Sequence, residues 1–272
     1  MSKHWFEKFA GFFGFPENYT TIDLETNGLK LPRKDARHSM ICTFGWSVVR
    51  DRQIVETKEV AINWEESGLV DRDEFLTGLA GAEQGLRSKG REFHHTPAYL
   101  REYGVQPIDG LRQLLDLVET AEERKEVLVT QNGWRYDIVL MEAHFNNFLN
   151  ISWKFLPNLV FDTGICEKAS QLGDRDHPLP MPGETMKQFA WRIGELQRRG
   201  VMWALDGHCQ ERYGLFDKAG IPLSEAHRSG KDSVVLHHLF EEHRKLAGVA
   251  DQVRDPLSYN VEAVTQEEDP LP

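Results

Sequence analysis

Acidic side chains stand in this sequence at spacings that suit metal-assisted hydrolysis. Asp23 and Glu25 lie two residues apart in the run IDLETNGL, so a strand there would direct both carboxylates to one face. Carboxylates that close repel each other, and their burial is costly unless a cation lies between them. Gly28 permits a turn and a close approach of a ligand to the backbone. Alone, the pair fits solvated acids on an edge strand equally well.

Further polar residues follow in a definite order along the chain. The stretch QNGWRYD places Asn132 at the end of a strand and Asp137 in the first turn of the next helix, where the helix dipole also favours an acid. The stretch AHRSGKD holds His227 and Asp232 five residues apart. A helix that begins just before Asp232 would fix this carboxylate and leave His227 on the preceding loop. Asp162 ends the strand NLVFDT and is expected to order its loop or to cap the next helix.

The elements that must position these residues alternate between strands and helices. The hydrophobic patterns predict five strands, over YTTIDLE, SMICTFGWSVVR, QIVETKEVAIN, EVLVTQN and NLVFDT. They also predict long helices over PIDGLRQLLDLVETAEERK, WRYDIVLMEAHFNNF and about SEAHRSGKDSVVLHHLFEEHRKLAG, with shorter ones over ETMKQFAWRIG and ALDGHCQERYG. Strands that alternate with helices indicate a layered α/β domain.

The chain of 272 residues suits one large α/β domain with additions. We expect an N-terminal extension over residues 1–18, a catalytic domain over 19–250 with an insertion at about 65–107, and an acidic, flexible tail over 251–272. The aromatic residues of the extension have helical spacing and are expected to pack rather than to stack bases. Histidines outside the motifs are expected at the surface: His94, His95, His237, His238 and His243.

Composition excludes several classes of protein. No run of about 18 apolar residues is present, so no membrane span is expected. The N-terminal stretch lacks the apolar region of a signal peptide. The three cysteines are odd in number and far apart, which predicts neither a disulfide framework nor a metal site and suits a reducing cytoplasm. A net charge of −11 does not attract nucleic acid over long range, but it is compatible with an enzyme that binds a short piece of backbone through cations.

The order and spacing of the polar residues resemble the DEDD superfamily of 3′–5′ exonucleases, in the DEDDh branch whose third motif carries a histidine. Ribonuclease T and the proofreading epsilon subunit of bacterial replicative polymerases belong to this superfamily. The resemblance extends over about residues 19–246, and the segments FDTG and LDGHCQERYG support it. The matching residues are Asp23 and Glu25 in DLETNGL, Asp137 in NGWRYD, and His227 and Asp232 in HRSGKD.

The resemblance implies a ribonuclease H-like fold, in which helices flank a mixed β-sheet on both faces. It also implies a site with two Mg²⁺ or Mn²⁺ ions, which suit hard oxygen ligands. The implied metal ligands are Asp23, Glu25, Asp137 and Asp232. His227 would accept the proton of the attacking water, a role that suits a side chain titrating near neutrality. The implied substrate-binding positions are Thr26, Asn27, Leu29 and Asn132.

The implied function is a metal-dependent 3′–5′ exonuclease that releases nucleoside monophosphates from DNA in proofreading or repair. Its expected partners are the 3′ end of a single strand, with DNA favoured over RNA, and a DNA polymerase. An exoribonuclease that trims RNA ends remains open, because the motifs are shared and discrimination lies in contacts to the 2′-hydroxyl. A nucleic-acid-binding module on the same fold also remains open, although clustered carboxylates that repel phosphate count against it.

Overall fold

The structure, a computed structural model, describes residues 3–28, 39–172, 179–196 and 204–249. Its centre is a sheet of five strands: β1 (Tyr19–Thr26), β2 (Ile41–Arg50), β3 (Gln53–Ala61), β4 (Val127–Thr130) and β5 (Val160–Asp162). The strand order is β3-β2-β1-β4-β5. β2 pairs antiparallel with β1 and β3, whereas β4 is parallel to β1 and β5. The predicted mixed sheet is therefore confirmed.

A tight hairpin joins β2 to β3. Arg50 pairs with Gln53, so the loop consists of Asp51 and Arg52, and both have positive φ angles, 47° and 64°. Two positive φ angles are the geometry of a hairpin turn whose twist matches that of the flanking strands. The Asn18 side chain stabilises this turn, because its Oδ1 accepts a hydrogen bond from the Asp51 N–H at 2.9 Å. The short charged turn expected at these residues is confirmed.

Helices occupy most of the remaining described chain. They are α1 (Lys3–Phe9), α2 (Arg72–Arg87), α3 (Pro97–Tyr103), α4 (Pro107–Glu123), α5 (Asp137–His144), α6 (Thr163–Leu172), α7 (Met186–Glu195), α8 (Gln210–Tyr213), α9 (Leu215–Ala219) and α10 (Ser229–Leu246). α4 buries the apolar face that its spacing predicts, which comprises Leu111, Leu114, Leu115 and Val118. α5 begins later than its pattern suggested, because a 3₁₀ turn at Gly133–Arg135 and the non-helical backbone of Tyr136 precede it.

The long helix α10 covers one face of the sheet. Thr21 of β1 donates a hydrogen bond to the main-chain oxygen of Ser233 at 2.8 Å, and the hydroxyls of Ser47 and Ser233 lie 2.9 Å apart. Side chains alternate along a strand, so Ile22 and Leu24 point to the opposite face, where both are buried. Burial on both sides of β1 confirms that the sheet is covered on both faces.

The N-terminal helix α1 contributes to the same core. Trp5, Phe6 and Phe9 are buried, and the ring of Phe9 lies 5.9 Å from that of Phe161 in β5, centre to centre. The expectation that these aromatic residues pack is confirmed. Leu29 and the tail at 251–272, for which predictions were made, lie outside the described residues. None of the helices in the described ranges is both long and apolar enough to cross a membrane.

Several histidines expected at the surface are buried instead. His95 is 2% exposed and His243 is fully buried, with its Nε2 2.7 Å from a carboxylate oxygen of Glu167. His237 is also buried, with its Nδ1 2.7 Å from the hydroxyl of Tyr19. The expectation of a solvated face was wrong because these polar partners come from parts of the chain far away in sequence.

Candidate active site

The site forms where the end of β1 meets the start of α10. Asp23 pairs with Gly45 of β2 across the sheet. A Cβ atom on Gly45 would lie 2.1 Å from the main-chain nitrogen of Gly230, so only glycine allows the first turn of α10 to approach so closely. The Gly230 N–H donates to Oε2 of Glu59 on β3 at 2.8 Å, which secures this approach. The result is that Asp232, in the first turn of α10, faces the acids of β1.

The loop before α10 presents His227 to the same place. His227 has a left-handed backbone with a φ of 64°, a conformation uncommon for a residue with a side chain. Its N–H donates a hydrogen bond to Oδ2 of Asp232 at 2.9 Å, which holds this unusual backbone in place. The predicted placement, with Asp232 in the first helical turn and His227 just before it, is confirmed.

The second motif is ordered by Asp162 at the end of β5. Its carboxylate accepts hydrogen bonds from the N–H groups of Asn132 at 2.8 Å, Trp134 at 3.1 Å and Ile165 at 3.1 Å. Asn132 has a left-handed backbone with a φ of 61°. Asp162 therefore fixes the turn that leads to Asp137, the first residue of α5, and also caps α6. The structural role predicted for Asp162 is confirmed.

Burial and mutual repulsion disfavour the charged forms of three of the acids. Burial first, and then the negative charges of Asp232 and Glu25, raise the pKa of Asp23 well above its usual value. Burial and the charge of Asp162 likewise raise the pKa of Asp137. The pKa of Asp232 is raised by burial and by Glu25. The charges of the four motif acids thus act on one another, which places them in one cluster.

The cluster fits a divalent cation. Oδ2 of Asp23 and Oδ1 of Asp232 are buried and have no hydrogen-bond partner among the described residues. Ligand atoms of Glu25, His227 and Asp232 all lie within 4.8 Å of one another. Buried carboxylate oxygens without a donor, in a group with excess negative charge, are the ligands that hard cations prefer.

His227 lies between two carboxylates. Its Nδ1 is 3.4 Å from Oε1 of Glu25, and its Nε2 is 3.4 Å from Oδ2 of Asp206. Burial alone would lower the pKa of His227, but the hydrogen-bonding contacts with Asp206 and Glu25 outweigh burial and raise the pKa to about 10. The imidazole is therefore protonated at neutral pH as long as no cation offsets these carboxylates.

Residues at the predicted substrate-binding positions hold the turn after β1. Oγ1 of Thr26 lies 2.7 Å from the hydroxyl of Tyr136 and donates to the Gly28 carbonyl at 2.7 Å. Oδ1 of Asn27 accepts from the Met40 N–H at 2.7 Å, while the Asn27 N–H donates to the Met40 carbonyl at 3.2 Å. These bonds shape the turn next to Glu25, and substrate contacts at Thr26, Asn27 and Asn132 stay predictions.

Several residues of the site were missed from the sequence. Asp206 contacts His227, and Arg91 contacts Asp206, although Arg91 lies in the segment predicted to be an insertion. Glu59 binds the start of α10, and its charge contributes to the raised pKa of Asp23. The one available signal was Gly45, because a glycine in a strand interior often marks a close approach of another backbone.

The fold and the placement of the acids together define the class of protein that this chain resembles. β1, β4 and β5 are parallel, and Asp23, Glu25 and Asp162 lie toward their carboxyl ends, with Asp137 shortly after β4. In open α/β sheets this edge is where ligands bind. The chain has the ribonuclease H-like α/β fold of 3′–5′ exonucleases.

Solved structures with this fold include exonuclease I of E. coli. Its zinc-bound complex with single-stranded DNA matches with a TM-score of 0.50 and 11% identity, over 88% of this chain and 42% of that chain. Another exonuclease I structure matches with a TM-score of 0.50 and 13% identity, over 85% of this chain and 42% of that one. The ribonuclease domain of the yeast Pop2 protein gives a TM-score of 0.48 and 12% identity, over 96% and 90% of the two chains.

The likeness to exonuclease I concerns the fold, and it confirms the fold that the resemblance to the DEDD superfamily implied. This chain spans about 42% of the length of exonuclease I. No protein-family model and no curated protein sequence matches the chain.

Proposed function

We propose that this protein is a metal-dependent 3′–5′ exonuclease that hydrolyses single-stranded nucleic acid, with DNA as its preferred substrate. One observation carries the proposal: acids from β1, α5 and α10 form a single cluster in which buried carboxylate oxygens lack partners among the described residues. A binding module would gain nothing from such a cluster, because it destabilises the fold and repels phosphate. The shared fold with exonuclease I, which was solved in complex with single-stranded DNA, supports the choice of substrate.

The four acids are proposed to hold two ions of Mg²⁺ or Mn²⁺. Bound divalent cations supply positive charge for the oxygens on which negative charge develops during phosphodiester hydrolysis. Asp23 is proposed to contribute to both ion sites, as the resemblance to the DEDD superfamily implies. Glu25 and Asp232 are proposed to complete one site, because their oxygens approach each other beside His227. Asp137, at the start of α5, is proposed for the other.

His227 is proposed to accept the proton of the attacking water. The contacts with Asp206 and Glu25 keep its pKa near 10, which is too high for a base at neutral pH. A cation held by Glu25 would weaken one of these contacts and would lower the pKa of His227 from that value.

The expected DNA polymerase partner stays a prediction, and the proposed test uses the chain alone. The cytoplasm is the proposed compartment, because Cys42, Cys166 and Cys209 are buried thiols that form no disulfide bond with one another.

The test uses single-stranded DNA and RNA oligomers of the same sequence, labelled at either end and incubated with Mn²⁺ or Mg²⁺. Stepwise shortening of the 5′-labelled strand, with immediate release of the 3′ label as mononucleotide, is the expected result. Faster shortening of DNA than of RNA would support the proposed preference, and the reverse would assign an exoribonuclease. Binding of the strands without release of nucleotides at any metal concentration would contradict the proposal.

A further inference from the structure

The two carboxylates beside His227 come from different parts of the site. Nδ1 faces Glu25 and Nε2 faces Asp206, each at 3.4 Å. Glu25 belongs to the acids proposed to hold cations, so its oxygens are committed once ions bind. Asp206 lies outside that acid set, at the start of the segment that leads into α8. Asp206 is therefore the neighbour that stays with the imidazole when the site is loaded.

Arg91 donates hydrogen bonds to both the side chain and the main chain of Asp206. The Arg91 Nε donates to Oδ2 of Asp206 at 2.8 Å, and Nη2 donates to the main-chain oxygen of the same residue at 3.0 Å. A guanidinium is a rigid planar donor, so a grip on both the side chain and the main chain fixes the carboxylate. The Arg91 N–H in turn donates to the Leu86 carbonyl at 3.0 Å, at the end of α2.

This anchoring determines which imidazole nitrogen carries the proton. An ionised carboxylate can only accept a hydrogen bond, so a neutral His227 must place its proton on Nε2, opposite Asp206. Nδ1 then has the free electron pair and faces the side of Glu25. A general base needs this arrangement, with one nitrogen open to the reacting proton and the other oriented by a third group. The bond from the His227 N–H to Asp232 fixes the base of the side chain as well.

We propose that Asp206, held by Arg91, is a positioning residue that keeps the proton of His227 on Nε2 and directs Nδ1 toward the attacking water. The inference rests on the proposed function. In the step that it serves, a water proton passes to Nδ1 and the water oxygen forms a bond to phosphorus. The bond from phosphorus to the 3′-oxygen of the preceding nucleotide breaks, and that oxygen leaves with the electron pair and takes a proton from solvent.

The kinetic test compares Asp206→Asn with a matched control, Glu184→Gln. Glu184, just before α7, is likewise bound by an arginine, because Arg192 in the last turn of α7 donates to its carboxylate at 2.7 Å and to the Leu179 carbonyl at 2.9 Å. Asp206→Asn is expected to lower kcat on a single-stranded DNA oligomer by about 10- to 100-fold and to leave KM unchanged. Arg91→Gln should lower kcat in the same direction, by a smaller factor. Glu184→Gln should change neither constant.

A second measurement reads the tautomer directly and needs no turnover. Protein labelled with ¹⁵N-histidine is examined by NMR with saturating Mg²⁺, at a pH where the ring is neutral, and the His227 signals are identified by their loss in His227→Gln. Wild type is expected to carry the proton on Nε2. In Asp206→Asn the amide can donate to Nε2, so the proton is expected to move to Nδ1.

An unchanged kcat in Asp206→Asn, or an unchanged tautomer, overturns the inference. A loss of kcat equal to that in Glu184→Gln overturns it too, since it would reflect a general structural effect. If wild type releases no nucleotide, the proposed function fails, and the tautomer alone then decides the role of Asp206.

Discussion

Two regions of this molecule bury carboxylates in opposite ways. In the acid site, Asp23 and Asp232 each have a buried oxygen without a partner among the described residues, and burial together with neighbouring negative charge raises the pKa of both. In the second region, Glu167 of α6 is fully buried, with its Oε1 2.7 Å from both the hydroxyl of Tyr213 and Nε2 of His243. Nη1 of Arg212 lies 3.4 Å from Oε2 of Glu167 and completes this Glu167 cluster.

Burial disfavours the charged carboxylate in both regions, but the pKa shifts in opposite directions. Burial would raise the pKa of Glu167, but the contacts with His243 and Tyr213, together with the charge of Arg212, outweigh burial and lower the pKa. The chain thus supplies its own donors where a buried carboxylate joins α6 to α8 and α10. At the acid site, Asp23 and Asp232 each keep a buried oxygen without a donor among the described residues, which supports the proposed cation site. The contrast supports a structural role for the Glu167 cluster and the proposed cation site for the acid cluster.

The largest expected effect is on activity at the acid site. Asp23→Asn should lower the exonuclease rate by about 10³-fold or more, because it removes a carboxylate ligand of the cation whose charge stabilises the transition state. Glu167→Gln makes the same chemical change at the other buried carboxylate. Assayed well below its unfolding temperature, it should retain most of the rate. Equal losses in the two variants would abolish the functional distinction between the regions.

A substitution at His227 separates the role of a general base from that of a metal ligand within the acid site. His227→Gln is expected to lower the rate by about 10²- to 10⁴-fold, the usual contribution of a general base. Millimolar Mn²⁺ should nevertheless raise the thermal midpoint of this variant as it does for wild type, because the acids remain. If the midpoint no longer responds to Mn²⁺, His227 is a metal ligand and not the base.

For the free energy of unfolding, the order of the two substitutions should be reversed, with the larger loss in Glu167→Gln. Without divalent cations, Glu167→Gln is expected to lower the free energy of unfolding by about 3 kcal/mol, because His243 and Arg212 lose their buried partner. Asp23→Asn should leave it unchanged or raise it, since the amide removes a repelling charge. Urea unfolding in chelator measures both. A large destabilisation by Asp23→Asn in chelator would show that Asp23 has partners within the chain.

The smallest expected effect is on the pH dependence of stability. The pKa of Asp23 is raised in the folded state, so its contribution is present below the unfolded value of about 3.9 and is lost as the pH rises. Asp162, with a pKa raised to about 6, acts in the same direction between about pH 4 and pH 6. Glu167 has the opposite sign, because its pKa is lowered and its contribution is lost as the pH falls.

In chelator, the stability of Asp23→Asn relative to wild type should therefore increase with pH, by up to about 1.4 kcal/mol per pH unit. The stability of Glu167→Gln relative to wild type should instead improve toward low pH, where wild type loses the same contribution. Urea midpoints between pH 3 and pH 8 give both curves, and parallel curves for the two variants would remove the contrast.

The sequence predicts much of this site because its signals are local. The two-residue spacing of Asp23 and Glu25 on a strand fixes their common face, and the composition of AHRSGKD fixes where α10 begins relative to His227. The five strands follow from hydrophobic patterns of ordinary length, whereas the mixed sheet was implied by the resemblance to the DEDD superfamily. Such features depend on neighbours within one turn or one strand, so a single sequence contains them.

The remainder depends on pairs that only tertiary packing brings together. Arg91 and Asp206 are 115 residues apart, and Glu167 meets His243 across 76 residues. No spacing rule links such positions, so Arg91 had the appearance of an insertion residue and His243 that of a solvated one. The same limitation applies to Glu59, whose contact with α10 arises only because the β2–β3 hairpin places it there.

The most direct test of the difference between the two regions is to count bound Mn²⁺ by electron paramagnetic resonance during a titration. We expect wild type and Glu167→Gln to bind Mn²⁺ at the same stoichiometry, up to two ions per chain when a nucleoside monophosphate is present. Asp23→Asn should bind fewer ions or none. Wild type that binds no Mn²⁺ at millimolar concentration, or Asp23→Asn that binds as wild type does, would contradict the assignment of the acid cluster as a metal centre.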